Sequence, residues 1–132
     1  MPITLDDALG IHAQALPVRS HRAGVIAANL ANVDTPGYQA RDIDFRKALQ
    51  EAEQGVHMRA THELHAGRGA GSAYAGGELL YRRPLQPAVD GNTVIAHVEK
   101  AEFMKNSMLY TASLTFLGSR VNQLITALRG GQ

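Results

Sequence analysis

The sequence predicts a mainly α-helical protein in which two long terminal helices pack as a coiled-coil hairpin around an irregular, Gly-rich middle with at most short strands. Three observations point there. Apolar residues recur seven apart at both ends of the chain. Glycine and proline gather between those ends, with Gly67, Gly69, Gly71, Gly76 and Gly77 in one short run that cannot hold a helix. Hydrophobic residues make up 45% of the 132 residues but aromatics only 5%, and the apolar content is mostly Ala, Leu and Val, which suits helices better than a large aromatic core.

The first segment, residues 1–33, carries two interleaved registers: Leu9, Leu16, Ala23 and Leu30 in one, and Leu5, His12, Arg19, Ile26 and Val33 in the other. His12 and Arg19 interrupt the second register. Pro17 removes a backbone donor and clashes with the Ala13 carbonyl, so a kink or break is expected between Ala13 and Pro17, with the second piece running to about Asn32. Residues 34–54 form a loop and a short helix. Asp34-Thr35-Pro36-Gly37 stops the first helix and turns the chain, because Pro36 biases Thr35 toward extended geometry and Gly37 tolerates a positive φ. Either Asp42 or Asp44 is placed to cap a helix from about Phe45 to Gln54, which Gly55 ends.

Residues 55–93 are the middle. Val56 to His65 reads as irregular or weak strand, Gly67 to Gly77 as flexible, and Leu79-Leu80-Tyr81 as a short strand; Pro84 and Pro87 keep the chain extended and Asp90-Gly91 turns it. Residues 94–132 hold the clearest helix, from about Val98 to Leu128. Phe103, Tyr110, Leu117 and Leu124 form one register, and Ser107, Leu114, Val121 and Leu128 the second. Arg129 suits the negative end of the helix dipole, and Gly130 and Gly131 finish it. The seam expected from both ends is Leu9, Leu16, Ile26, Leu30, Phe103, Tyr110, Leu114, Leu117, Val121, Leu124 and Leu128. Two helices alone leave much of such stripes uncovered, which argues for self-association or partner helices.

Several function classes find no support. Thirteen basic and 12 acidic residues give a net charge of +1, with no electrostatic footprint for nucleic acid. With no cysteine there is neither a disulfide framework nor thiolate chemistry. The start, MPITLDDALG, lacks the basic and apolar regions of a cleaved signal. His57, His62 and His65 with Glu63 invite a metal reading, but His62-Glu63-Leu64-His65 is not the H-E-x-x-H of zinc hydrolases, and solvated loop histidines are expected. Gly67-Arg68-Gly69-Ala70-Gly71 lacks the flanking strand and helix of a dinucleotide site. Asp42 and Asp44 fit capping or salt bridges better than acid–base catalysis, and Met104 and Met108 fit packing or a secondary contact. No catalytic residue, metal, cofactor or small-molecule substrate is therefore expected.

The stretch Ala27 to Phe45 is the most particular in the chain. Asn29 and Asn32 sit three apart on one side of a helix end, followed by Thr35-Pro36-Gly37-Tyr38 and then Gln39-Ala40-Arg41-Asp42-Ile43-Asp44-Phe45. It resembles the N-terminal signature of the flagellar axial proteins, and its continuation is most like the B-type proximal branch of the basal-body rod family. Asp90-Gly91-Asn92-Thr93-Val94 and the pattern Glu99, Glu102, Asn106, Tyr110 resemble the same branch near the C-terminus. The resemblance is weak between about Gly55 and Tyr81.

It implies a structural rod subunit whose terminal helices pack in a tube of axial subunits. Export by the flagellar type III apparatus, without a cleaved signal, would bring it to the periplasmic rod. Its partners would be other copies, other rod proteins, the inner-membrane ring and the export apparatus. The candidate signature and subunit-contact residues are Asn29, Asn32, Thr35, Pro36, Gly37, Tyr38, Arg41, Asp42 and Phe45. The neighbouring alternatives are a C-type rod protein and, from another class, a cytoplasmic helical-hairpin adaptor, which has no need of Thr35-Pro36-Gly37-Tyr38.

Overall fold

The computed structural model describes residues 9–53, 77–84 and 88–130. The element order is α1 (Ile11–Ala31), β1 (Arg41–Ile43), α2 (Phe45–Glu53), β2 (Leu79–Tyr81) and α3 (Ala96–Leu128). The described residues are mainly helical, with two long terminal helices and one small two-stranded sheet. The expectations on His57, His62 and His65, the Val56 to His65 segment and most of the glycine run lie outside the described residues.

α1 continues through Pro17 as one helix, so of the kink or break expected there no break occurs. Pro17 removes one hydrogen bond, but Ala15 and Val18 on either side of it are buried, and that packing holds the turn in helical form. The helix opens at Gly10, whose φ of 72° a side chain would resist. Its inward stripe runs through Ala15, Val18, Arg22, Ile26 and Asn29, in steps of three or four. Leu9, Leu16 and Leu30 are half-buried beside that stripe, and Ile26 is the expected seam residue that is fully enclosed.

α3 is 33 residues long, about 50 Å at ~1.5 Å per residue. It packs antiparallel on α1. Asn29 meets Glu99 at one end, Arg22 meets Glu102 and the Arg19 carbonyl meets Asn106 in the middle, and His12 stacks on Phe116 at the other, with ring centroids 5.1 Å apart.

The inner face of α3 is not the one its apolar periodicity predicts. Its buried residues are Glu99, Asn106 and Ser113. Tyr110, Leu117 and Leu124 are half-buried, whereas Phe103, Leu114, Val121 and Leu128 are exposed, Leu114 at 45% and Leu128 at 88%. The polar groups of Glu99 and Asn106 find partners on α1 and at Arg82, just after β2, which rotates the helix so that the Leu114 register faces outward.

The remaining core is small. Val18, Ile43 and Ala48 form it, with Val25 and Phe45 packed against them, at the meeting of α1, β1 and α2. Asp44, not Asp42, caps α2: its Oδ1 accepts from the Arg46 and Lys47 amides at 3.0 and 3.1 Å. Gly77 departs from its expected place in a flexible run. Its φ is 69°, and a Cβ there would fall 2.5 Å from Ile43 Cγ2 and 2.8 Å from Ala48 Cβ, so it closes the core.

Candidate functional site

The site is a junction where two motifs far apart in sequence hold each other. α1 ends in a turn whose carbonyls point to one side. Asn92, 6% exposed, gathers them: its Nδ2 donates toward Asn32 O, Val33 O and Thr35 O at 3.1, 2.7 and 3.0 Å. Its own Oδ1 accepts from the Val94 amide at 2.7 Å, and Asp90 Oδ1 accepts from the Asn92 amide at 3.1 Å, so the side chain is itself held. Backbone bonds complete the clasp, from Gly37 N to Asp90 O at 2.9 Å and from Thr93 N to Tyr38 O at 3.0 Å. The Ala40 amide donates to Thr93 Oγ1 at 2.7 Å. Gly37, at φ 72°, makes the turn that brings this loop under Asp90.

Asn29 does the same for the sheet. β1 and β2 pair antiparallel with Arg41 opposite Tyr81, and Arg82 N donates to Ala40 O. By alternation, Arg41 is then a non-hydrogen-bonded pair, and its N–H and C=O face away from β2. The Asn29 carboxamide takes both: Arg41 N donates to Oδ1 at 3.0 Å and Nδ2 donates to Arg41 O at 2.7 Å. One side chain thus stands where a third strand would pair. The Tyr38 hydroxyl also reaches Asn29 Oδ1, at 3.4 Å.

Around Asn29 sits a five-membered charge cluster. Arg22 grips Asp42 through two bonds of 2.8 Å and reaches Glu102 at 3.0 Å. Arg82 bonds Asp42 at 2.7 Å and also Glu99, which is 2% exposed and receives Asn29 Nδ2 at 3.1 Å. Burial alone would raise the Asp42 pKa. The hydrogen bonds from Arg22 and Arg82 and the Ile43 amide outweigh it and hold Asp42 at about 2. The Asp42 hydrogen bond likewise raises Arg22 above its ordinary value against the cost of burial. Arg19 is lowered by burial and by the nearby Arg22, and its guanidinium lies over the Phe45 ring, 4.3 Å from the centroid.

These groups are saturated with one another, so the cluster is built to hold elements together. Among the described residues no group of three or more His, Asp or Glu side chains is placed to bind a metal, and no helix is long and apolar enough to cross a membrane.

The structure divides the predicted site residues. Asn29, Tyr38 and Asp42 turn inward, Asn32 lies at the end of α1 and Phe45 lines the core. Thr35, Pro36, Gly37 and Arg41 are exposed, with the Arg41 guanidinium 5.5 Å from the Tyr81 ring centroid. Arg22 and Arg82 were not foreseen. An arginine between Val18 and Ile26 on the apolar stripe is a signal for Arg22; Arg82 has none, because its partners come from β1 and α3. Asn92, Thr93, Glu99 and Asn106 stood out in the sequence without a role.

The model of the family described as flagella basal body rod protein matches residues 9–39, the span of α1 and its turn. The flagellar basal body rod protein FlgB of Aeromonas hydrophila is 48% identical over 135 aligned residues, covering 100% of both chains. FlgB of Salmonella typhimurium is 44% identical, with 96% of each chain covered, and FlgB of Escherichia coli is 40% identical, again over 96% of each. With relatives of that identity along its whole length, the chain belongs to the FlgB family of flagellar basal body rod proteins, structural subunits of the flagellar rod.

Proposed function

We propose that the chain is a non-catalytic subunit of the proximal, periplasmic rod, exported by the flagellar type III apparatus. It assembles by laying the outward face of α3 against terminal helices of neighbouring axial subunits in coiled-coil fashion. Its contacts are other copies, other rod proteins and, at the base, the inner-membrane ring and export apparatus. It needs no cofactor, nucleic acid or small-molecule substrate. The exposed part of the turn, Thr35 to Gly37 with Arg41, adds contacts outside the helical layer.

One observation carries the reading. Over residues 106–119 α3 has no charged residue, and Met108 at 72% and Phe116 at 56% are exposed together with Leu114. Thr111 and Thr115 turn their hydroxyls back onto the carbonyls of Ser107 and Thr111 at 3.1 and 3.0 Å, which lessens the polarity of that surface. An uncharged helix surface that carries large exposed apolar side chains is one that its working environment buries. Leu114→Asp tests this. The side chain is exposed in the subunit, so helix content should be unchanged, while incorporation into purified basal bodies should be lost because a carboxylate would be stranded in an apolar contact. Normal incorporation of Leu114→Asp would refute the proposed use of this face.

A further inference from the structure

α3 is built inside out. Within the subunit its enclosed face carries Glu99, Asn106 and Ser113, while larger apolar residues, Met104, Met108, Phe116 and Leu128 among them, stand exposed. Ser113 is satisfied on its own helix, by the Leu109 carbonyl at 2.9 Å. Glu99 and Asn106 are satisfied only by other elements. Glu99 needs Arg82 and Asn29. Asn106, 1% exposed, donates from Nδ2 to Arg19 O at 2.9 Å, and its Oδ1 is buried with no protein partner. A buried amide with half its capacity unused costs stability that a leucine of the same heavy-atom shape would not.

What such a group can provide is selection. An isolated polar residue in a helix seam specifies register and partner at the expense of stability, because every other arrangement buries it unpaired. Here the matching groups belong to this chain's own α1 and the strand beside it: the Arg19 carbonyl, Asn29, and Arg22 against Glu102. A slip of one heptad separates Asn29 from Glu99 and Arg22 from Glu102 together. A second copy's α3 in place of α1 would meet Glu99 and Asn106 with none of these groups.

We propose that Asn106, supported by Glu99, is a partner-selecting residue. It reserves the inner face of α3 for α1 and excludes a second copy's α3 from it, leaving the outward face for neighbours. The proposal rests on the assembly reading only for the use of that outward face; the exclusion is a property of the purified chain.

The full chain has no cysteine, so introduced thiols report cleanly. His12→Cys and Phe116→Cys mark the far end of the α1–α3 pair, and a short bifunctional thiol reagent distinguishes intrachain from interchain pairing on a denaturing gel. With native Asn106 the product should be mainly intrachain. Asn106→Leu should keep its helix content and raise the interchain fraction roughly tenfold at equal protein concentration, the ratio expected when one unpaired buried polar group no longer penalises the wrong partner. Asn106→Asp keeps a buried polar group but cannot donate to the Arg19 carbonyl, so it should weaken intrachain pairing without creating the interchain product. An unchanged interchain fraction in Asn106→Leu overturns the proposal. So does loss of its helix content, since Asn106 would then be a folding requirement and not a selector. Failure of Leu114→Asp to block incorporation would instead strike the assembly reading and leave the gel result standing.

Discussion

Asn92 offers a sharp test of how the two ends of the chain are joined. Asn92→Ala removes the donor from Asn32 O, Val33 O and Thr35 O and the acceptor from Val94 N. The two hydrogens of one amide serve the three carbonyls, so the loss is closer to two hydrogen bonds than to three. The affected groups are only partly enclosed, and water can reach some of them. At ~1 kcal/mol per net hydrogen bond, with more where a carbonyl is left buried, the expected destabilisation is about 2–4 kcal/mol. For a chain of this size that corresponds to a fall in Tm of roughly 10 °C. Asn92→Asp sharpens the point. It keeps the shape and the Oδ1 acceptor but turns a carboxylate toward carbonyl oxygens, so it should be at least as unfavourable as alanine. Thermal unfolding followed by circular dichroism gives the magnitude. Amide exchange should localise it, with protection falling first at Gly37, Tyr38 and Ala40, the amides that the Asp90 to Thr93 clasp and the adjoining turn hold. Wild-type stability in Asn92→Asp, or a Tm loss spread evenly without faster exchange at those amides, would refute the view that this side chain holds the turn after α1 from across the fold.

Three further outcomes follow from the same geometry. Asp42 is held at about 2 in the folded chain, below its unfolded value near 4, so its stabilising contribution is complete above about pH 4 and lost as pH falls toward about 2; Asp42→Asn should be less stable at pH 7 and show a shallower decline across that window in acid titration. Gly77→Ala must adopt a positive φ and place a methyl within 2.5 Å of Ile43 Cγ2, and should cost about 2–4 kcal/mol in denaturant unfolding, whereas an equal midpoint would mean that Gly77 does not close the core. Pro17→Ala restores a donor for the Ala13 carbonyl inside a continuous α1, and should raise stability by about 1–2 kcal/mol with no loss of rod incorporation; destabilisation would show that the proline's shape is itself required.

Elements whose cause is local were legible in the sequence. The α2 span, the Thr35 to Tyr38 turn, the short strand at Leu79 to Tyr81 and the end of α3 at Leu128 each depend on residues within a few positions of themselves: a capping aspartate, a proline followed by glycine, a β-rich triplet, a terminal glycine. Heptad spacing likewise marked both terminal helices. Periodicity, however, locates an apolar stripe without saying whether the chain itself or a neighbour covers it. α3 has apolar residues in several registers, so the face turned toward α1 was chosen by polar groups with specific partners: Glu99 by Arg82 and Asn29, Asn106 by the Arg19 carbonyl. A break at Pro17 is avoided for a related reason. A propensity penalty of ~3 kcal/mol applies to an isolated helix, and the burial of Ala15 and Val18 against the rest of the fold offsets it. The clasp of Asn92 on the turn after α1 and the strand-like pairing of Asn29 with Arg41 join residues up to 60 apart. Hydrogen bonds between such distant positions leave no period in a sequence, and only the folded chain brings donor and acceptor together.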